Sequence, residues 1–140
     1  MRYLLDTHIF LYSVIELDRL SRDVTEIIFD YDNVLCVSAE TLRELVVGYN
    51  NHSFATKKWK TCDELIKAVS EDYGIVVLPV DEQVMQTYSR LQRNELQGHK
   101  DPSDHVIISH AITLGIPLIS NDSRFPFYAK QGLQLIYNKK

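Results

Sequence analysis

The chain has few of the residues that build disulfide frameworks or zinc sites. Its 140 residues include only two cysteines, with four prolines and five glycines. Cys36 lies in a strand-like run and Cys62 in a helix-like one, so their spacing gives neither a paired metal site nor a disulfide framework. We interpret both as free thiols. The five histidines likewise show no zinc spacing.

Long hydrophobic runs are also missing. Asp6 and His8 interrupt the apolar residues near the start, which removes the resemblance to a signal peptide. No stretch approaches the roughly 20 apolar residues that cross a bilayer. We therefore expect a cytoplasmic protein without membrane contact. With 45% hydrophobic and 24% charged residues, the composition suits one compact domain over residues 1–140.

Positive charge is scarce as well. The 15 lysines and arginines are outnumbered by 19 acidic residues, which gives a net charge of −4. This balance argues against a protein that holds nucleic acid over a broad basic face, because such binding depends on phosphate neutralisation. A glycine-rich phosphate loop is missing after the first apolar run, which disfavours a dinucleotide-binding enzyme. No serine or cysteine has a credible triad around it.

The apolar pattern predicts strands and helices that alternate along the chain. Strands are expected at 2–5, 33–37, 75–80 (buried), 116–120 and 133–137, and helices after Asp6, at 21–30, from a Ser38 cap to about 48–51, at 62–72, around 84–91, and from an Asp101 cap to Gly115. Strands separated by helices need crossover connections. The sequence therefore predicts an α/β fold, a mostly parallel sheet with helices on both faces.

Acidic residues follow the strands that should share one sheet edge. Asp6 comes directly after the first strand, and Asp122 follows the 116–120 strand by two residues. Glu44 lies on the helix that leaves the second strand, and Asp104 lies in the first turn of the helix that leads into the fourth. Ligands bind at the carboxyl edge of such sheets. Converging carboxylates suit Mg²⁺ or Mn²⁺, which activate water for attack on a phosphate.

Each acid also has a structural explanation. Asp6 can cap the helix that follows it, Asp104 suits the positive end of a helix dipole, and Asp122 fits turn chemistry. Glu40 and Glu44 fall on the side of their helix opposite the apolar stripe, where periodicity predicts solvent. Taken singly, each acid fits a structural role better, and only their joint placement favours catalysis.

Four motifs of this chain, in this order, resemble the PIN-domain family, in particular the VapC-like toxin ribonucleases of VapBC toxin–antitoxin pairs. The resemblance covers essentially the whole chain. The motifs are Leu-Leu-Asp-Thr-His at 4–8, Ser-Ala-Glu-Thr-Leu-Arg-Glu-Leu at 38–45, His-Lys-Asp-Pro-Ser-Asp-His-Val-Ile-Ile-Ser-His-Ala at 99–111, and Leu-Ile-Ser-Asn-Asp-Ser-Arg-Phe at 118–125.

The resemblance implies a three-layer α/β/α fold and a Mg²⁺- or Mn²⁺-dependent endoribonuclease. The implied substrate is single-stranded RNA, hydrolysed to leave a 5′-phosphate and a 3′-hydroxyl, and the implied partners are a cognate antitoxin and a second copy in a homodimer. The residues that it assigns to metal binding and catalysis are Asp6, Glu44, Asp104 and Asp122.

The same motifs suggest supporting residues. Thr7, Ser38 and Asn121 resemble side chains that orient the carboxylates. Asp101 is interpreted as a helix cap, with a secondary role in tuning the site. Ser103 and His105 stand where the family commonly has Phe and Arg, which leaves the shape of the cleft rim open.

A basic segment with a central tryptophan, Lys57, Lys58, Trp59 and Lys60, is a second candidate binding element. Basic residues interleaved with aromatic ones hold single strands by charge and stacking, and docking of an antitoxin peptide is another possibility. A solvated loop whose one aromatic residue packs inward explains the segment at least as well.

Two other functions remain open at this stage. One is a non-catalytic PIN-like module that only binds protein or RNA, and the retention of all four acids counts against it. The other is a Mg²⁺-dependent phosphatase with Asp6 as nucleophile, and the presence of His8 instead of an acid two residues on counts against that.

Overall fold

A computed structural model describes residues 1–140 as five strands and six α-helices. Two short 3-10 helices, Leu17–Arg19 and Phe125–Gln131, complete the secondary structure. No helix has both the length and the apolar character that crossing a membrane requires. In chain order the elements are β1 (Arg2–Leu5), α1 (Thr7–Ile15), α2 (Arg22–Ile28), β2 (Val34–Ser38), α3 (Ala39–Asn50), α4 (Cys62–Glu71), β3 (Val76–Leu78), α5 (Glu82–Arg90), α6 (Pro102–Leu114), β4 (Leu118–Ser120) and β5 (Leu135–Tyr137).

The strands form one sheet in the order β3-β2-β1-β4-β5. Every pair is parallel, so the predicted α/β class is confirmed and the sheet is wholly parallel. The chain builds outward from β1 to β3 on one side and then returns to place β4 and β5 on the other. The strand order therefore reverses between β1 and β4, where ligands bind in folds of this kind.

Side-chain alternation along the central strands divides the core between the two faces of the sheet. Leu5 and Ile119 belong to a buried cluster with side chains from α1, α2, α3 and α4. Leu4 and Leu118, their chain neighbours, belong to a second cluster with side chains of α6. Successive strand residues point to opposite faces of the sheet. The paired strands β1 and β4 therefore contribute side chains to both clusters. The predicted helical layer on each face of the sheet is confirmed.

Local capping chemistry sets the helix bounds that the sequence predicted. Ser21 accepts a hydrogen bond from the backbone of α2, and Ser38 does the same for α3. Asp101 caps α6, with Pro102 in the first helical position. Gly115 ends α6 in the left-handed region, at φ 65°, a conformation that costs glycine little.

The 75–80 segment differs from its predicted buried strand. Only Val76–Leu78 is strand, and β3 lies at the sheet edge, paired with β2 alone. Val76 is accordingly 44% exposed. Pro79 lacks the N–H needed to continue the ladder, so β3 ends before it. A run of hydrophobic residues does not distinguish an edge strand from a central one.

The segment of Lys57, Lys58, Trp59 and Lys60 is a loop whose aromatic member packs inward. Trp59 is 5% exposed and makes an edge-to-face contact with Phe54. Lys57 and Lys60 are exposed, and Lys58 donates a hydrogen bond to a backbone carbonyl of α1. Because Trp59 belongs to the core, it offers no stacking surface for a nucleic-acid base.

The core on the α4 side gives a direct test of the fold. Leu65 of α4 is fully buried, so Leu65→Ala is expected to lower the free energy of unfolding by about 2–5 kcal/mol. Leu96 is 97% exposed, and Leu96→Ala is expected to change the free energy of unfolding by less than about 0.5 kcal/mol. Urea unfolding monitored by circular dichroism measures both values. Equal effects of the two substitutions would contradict the arrangement of the core.

Candidate metal centre

Acidic side chains gather at the carboxyl edge of the sheet, beside the point where strand order reverses. Asp6 follows β1, and its backbone N–H extends the pairing with β4 by donating to Ile119 O at 3.0 Å. Asp122 follows β4 by two residues, and Glu44 extends from α3. The first turn of α6 contributes Asp104. The expectation that parallel strand ends bring these acids to one edge is met.

Two groups of three side chains present their ligand atoms within 4.8 Å of one another. One group comprises Glu44, Asp101 and Asp104, and the other comprises His99, Asp104 and Asp122. Asp104 belongs to both groups and is therefore the centre of the cluster. Asp101, interpreted from the sequence mainly as a cap, does cap α6 and also lies within reach of a shared cation.

Asp6 belongs to neither of these two groups. It is 3% exposed, and its carboxylate accepts hydrogen bonds from Thr7 N and Ser120 Oγ, each at 2.8 Å. Burial raises the pKa of Asp6, and the hydrogen bond from Ser120 opposes that rise. The Asp6 charge also raises the pKa values of Glu44 and Asp104, so all three carboxyl groups are electrostatically linked.

Periodicity predicts that Glu44 faces open solvent. The structure differs from this prediction, because Glu44 is partly buried. Thr7 Oγ1 donates a hydrogen bond to Glu44 Oε1 at 2.6 Å, and partial burial raises the pKa of Glu44. Glu40, on the same side of α3, accepts a hydrogen bond from Ser103 Oγ of α6 at 2.5 Å. The polar side of α3 therefore packs across the start of α6. Thr7 makes a contact of the orienting kind expected from the resemblance.

Asp104 has a carboxyl group with a strongly raised pKa. Burial, followed by the charges of neighbouring acids, raises its pKa to about 8. Mutual repulsion of this kind is relieved by a proton or by a cation. Carboxylate oxygens are the ligands that Mg²⁺ and Mn²⁺ prefer. The donor set therefore fits a hard divalent cation. The acids that raise the Asp104 pKa are Asp6, Asp101, Asp122 and Glu44.

A buried hydrogen-bond chain positions Asp104. Asn94 N donates to Tyr128 Oη at 3.0 Å, and Tyr128 Oη lies 2.9 Å from His99 Nδ1. If Tyr128 donates to Nδ1, His99 carries its proton on Nε2 and donates it to Asp104 Oδ2 at 2.9 Å. Burial lowers the pKa of His99 to about 4, so its ring is neutral at pH 7. With the other tautomer Nε2 accepts a hydrogen bond from protonated Asp104, and in either case the contact orients the Asp104 carboxyl group.

Arg124 forms an ion pair with one acid of the cluster, Asp122. Its Nε and Nη2 donate to the two carboxylate oxygens of Asp122 at 3.0 and 2.7 Å, and Nη2 lies 3.6 Å from Asp104 Oδ2. This pairing lowers the pKa of Asp122, despite its partial burial. Sequence reasoning assigned no role to Arg124. Its spacing of two residues from Asp122, within one turn, is the signal that could have found it.

Two predicted supporting residues make their hydrogen bonds to groups other than the carboxylates. The Ser38 hydroxyl caps α3 and contacts a histidine of α6, and the Asn121 amide reaches only a tyrosine hydroxyl of α1. Neither is hydrogen-bonded to the four predicted acids. Ser120 takes the orienting role instead, because its hydroxyl donates to Asp6 and accepts from Asp122 N at 3.1 Å. Its position at the end of β4 was the available signal.

The two residues that depart from the family pattern are both buried, and Ser103 also lines a groove that reaches Thr7 and Glu44. Ser103 is buried, and its hydroxyl joins Glu40 to Arg43, which donates to it at 2.5 Å. His105 is also buried, with its ring 4.6 Å from that of His99. Ser103 therefore links α6 to α3, and His105 packs behind the residue that orients Asp104.

The raised Asp104 pKa predicts a pH dependence of the metal-free protein. Folded Asp104 keeps its proton up to about pH 8, whereas the unfolded group loses it near the ordinary aspartate pKa of 3.8. Between these values the folded state binds more protons, so this group's contribution to stability falls as pH rises. In urea unfolding with EDTA between pH 5 and 8, the free energy of unfolding of Asp104→Asn should fall less steeply with pH than that of the unmodified chain. The exposed control Asp32→Asn should follow the unmodified chain. Equal slopes for all three proteins would contradict the raised pKa of Asp104.

Substitutions of Asp101 separate capping from cation binding. Asparagine caps helices about as well as aspartate, so Asp101→Asn should leave the free energy of unfolding within about 0.5 kcal/mol, whereas Asp101→Ala should lower it by about 1 kcal/mol. Both variants lose a carboxylate of the Glu44 group and should bind Mn²⁺ about 10-fold more weakly in calorimetry. Undiminished Mn²⁺ affinity of Asp101→Asn would show that Asp101 acts only as a cap.

The fold is shared with solved structures of toxin–antitoxin complexes. VapBC2 from Rickettsia felis, solved with a promoter DNA fragment, is 24% identical with a TM-score of 0.71, covering 99% of this chain and 100% of that one. VapBC-1 from nontypeable Haemophilus influenzae is 24% identical with a TM-score of 0.69 and covers both chains fully. DNA-bound VapBC from Salmonella typhimurium is 21% identical with a TM-score of 0.65, covering 99% of each.

Sequence comparison identifies the family directly. A search of the curated proteins finds no match. The family model described as the PIN domain matches residues 3–131, a span that contains all the acids of the cluster and the strands that carry them. Because this match takes in most of the sequence, the chain belongs to the PIN domain family.

Proposed function

We propose that the chain is a Mg²⁺- or Mn²⁺-dependent endoribonuclease that hydrolyses single-stranded RNA. The observation that carries the proposal is the cluster of partly buried acids around Asp104, whose raised pKa reflects charges that a divalent cation would neutralise. The residues assigned to cation binding and catalysis are Asp6, Glu44, Asp104 and Asp122. The choice of single-stranded RNA follows from the PIN-domain resemblance.

The chain's own residues hold these carboxylates in place. Thr7 fixes Glu44, Ser120 fixes Asp6, and His99 fixes Asp104, each through a hydrogen bond shorter than 3 Å. Bound Mg²⁺ or Mn²⁺ would neutralise charge on the scissile phosphate and lower the pKa of the attacking water. Orienting contacts of this kind determine how well a cation site works, since losing one typically weakens metal binding about 10- to 100-fold.

The net charge of −4 is compatible with an RNA substrate under this proposal. A bound divalent cation would offset much of the negative charge of the acid cluster. RNA would therefore meet carboxylates whose charge is largely neutralised. A broad basic face is not required for a strand that is held mainly beside its scissile phosphate.

We further propose that the nuclease is the toxin of a toxin–antitoxin pair and is kept silent by its antitoxin. Support comes from the structural neighbours, which are chains of VapBC complexes that match this chain over nearly its full length and theirs. A homodimer is proposed on the same grounds. Val46 and Val47 on α3 are 36% and 47% exposed, so that helix offers apolar surface for a protein partner.

The proposal is tested with purified protein, labelled single-stranded RNA and Mg²⁺ or Mn²⁺ in the absence of antitoxin. We expect cleavage that leaves 5′-phosphate ends, stops in EDTA and returns when Mn²⁺ is added. Asp6→Asn and Asp104→Asn should each lower the rate by about 100-fold or more, as removal of one group that stabilises developing charge typically does. Asp32→Asn, an exposed acid far from the cluster in sequence, is the matched control.

Two results would overturn the proposal. Cleavage that persists both in EDTA and in Asp6→Asn would identify a contaminating nuclease. Absence of cleavage with either cation, in a folded protein free of antitoxin, would favour a PIN-like module that binds RNA or protein without catalysis.

A further inference from the structure

Two open grooves meet at α1 beside the acid cluster. The first, of about 480 Å³, lies between α1 and α3 and reaches Thr7 and Glu44. The second, of about 610 Å³, runs from Asn121 along the C-terminal residues Lys139 and Lys140. Sites of about 300–1,000 Å³ hold small ligands, so each groove has room for a nucleotide. Only the first groove touches the acid cluster.

A ridge formed by Tyr12 and Arg19 separates the two grooves and lines both. The Arg19 guanidinium carbon lies 5.3 Å from the Tyr12 ring centroid, and Nη1 donates to Tyr12 Oη at 3.2 Å. The His8 ring follows at 6.3 Å from the Tyr12 ring. Nucleic-acid bases stack on aromatic rings and on arginine planes. The ridge therefore offers planar surfaces of both kinds.

The grooves collect cations on a chain that is acidic overall. Arg19, Arg43, Lys139 and Lys140 line them, and neither lysine takes part in an ion pair. The acids that line them are Glu16, which pairs with Arg19, Asp18, and Glu44, already assigned to the cation site. Lys139 and Lys140 in the second groove thus remain available to phosphates, whereas Arg43 in the first groove pairs with Glu40.

The lining of the second groove favours a nucleic acid over a protein. Its only hydrophobic lining residues are Tyr12 and Tyr137. A docking peptide or helix anchors itself through side chains buried in apolar pockets, and this groove has no aliphatic side chain to form one. Flat aromatic groups interleaved with lysines are the surface on which single strands bind.

We infer that one RNA strand crosses the Tyr12–Arg19 ridge, with neighbouring nucleotides in the two grooves. In this arrangement a base stacks on the ridge, and Arg19, Lys139 and Lys140 contact phosphates. The inference rests on the proposed function, because the acid cluster at the end of the first groove is where the scissile phosphate would lie. It assigns substrate binding to residues outside the four sequence motifs.

The test measures RNA affinity without cleavage. The Asp6→Asn protein is titrated into a fluorescein-labelled oligouridylate with Mn²⁺ present, and anisotropy reports binding. Adding Tyr12→Ala should weaken binding about 5- to 150-fold, the range that loss of one stacking contact gives. Adding Tyr12→Phe should leave affinity within about twofold, because the ring is kept.

Salt dependence tests the phosphate contacts separately. Each contact to a single strand contributes about 0.7 to the slope of log affinity against log salt concentration. Arg19→Gln should reduce the slope by about 0.7, and the double substitution Lys139→Gln with Lys140→Gln by about 1.4. Arg19 has an exposed side chain, so its variant remains informative even if Tyr12→Ala fails to fold.

Matched controls lie outside the grooves. Tyr31 is fully exposed in the loop that precedes β2, at the opposite edge of the sheet, and Tyr31→Ala should leave affinity unchanged. Arg22 pairs with Glu26 on the surface as Arg19 pairs with Glu16, and Arg22→Gln should leave the salt slope unchanged.

The ridge proposal is overturned if Tyr12→Ala and Arg19→Gln bind RNA within twofold of the parent. The same conclusion holds if these variants lose a protein partner while RNA affinity is retained, since the grooves would then form a protein interface. Cleavage by the unmodified chain combined with unaffected binding by the variants would reject the ridge alone. Ridge-dependent binding without any cleavage would reject only the nuclease.

Discussion

Repulsion among carboxylates at one edge of the sheet is the constraint around which the rest of the site is arranged. Burial together with the charges of four neighbouring acids raises the pKa of Asp104 to about 8. The surrounding side chains offset this repulsion only in part, because a single cation, Arg124, pairs with Asp122 at 2.7 Å and reaches Asp104 at 3.6 Å. Ser120, Thr7 and His99 instead hold the acids in fixed orientations. Such a centre stores unfavourable electrostatic energy that a divalent cation would release.

The parallel topology creates this constraint. Because β1 and β4 pair in parallel, Asp6 and Asp122 emerge at the same edge, where the strand order reverses. The crossover between β3 and β4 ends with α6, whose first turn brings Asp104 to that edge. Its capping residue, Asp101, comes with it, so one helix start serves both folding and the acid cluster. The grooves beside α1 then connect the cluster to stacking and basic groups on the surface.

Local signals made much of the fold predictable. The Asp101 cap, Pro102 and Gly115 predicted both ends of α6, and short apolar runs predicted β1 and β4, because these features depend on neighbours in sequence. Glu44 could not be placed by periodicity, since its surroundings come from packing of α3 against α6 and from Thr7, 37 residues away in sequence. Family resemblance placed it instead. The roles of Ser120, Arg124 and His99 depend on three-dimensional contacts, and so does the position of Ser38, whose hydroxyl caps α3 and contacts His110.

The central claim is that the acid cluster exchanges a proton for a divalent cation. Titration calorimetry of Mn²⁺ binding at pH 7, repeated in buffers of different ionisation enthalpy, measures the number of protons released on binding. With the Asp104 pKa near 8, binding of Mn²⁺ should release about one proton, and Asp104→Asn should abolish that release and weaken the binding. Absence of Mn²⁺ binding, or binding whose proton release and affinity are unchanged in Asp104→Asn, would contradict the claim.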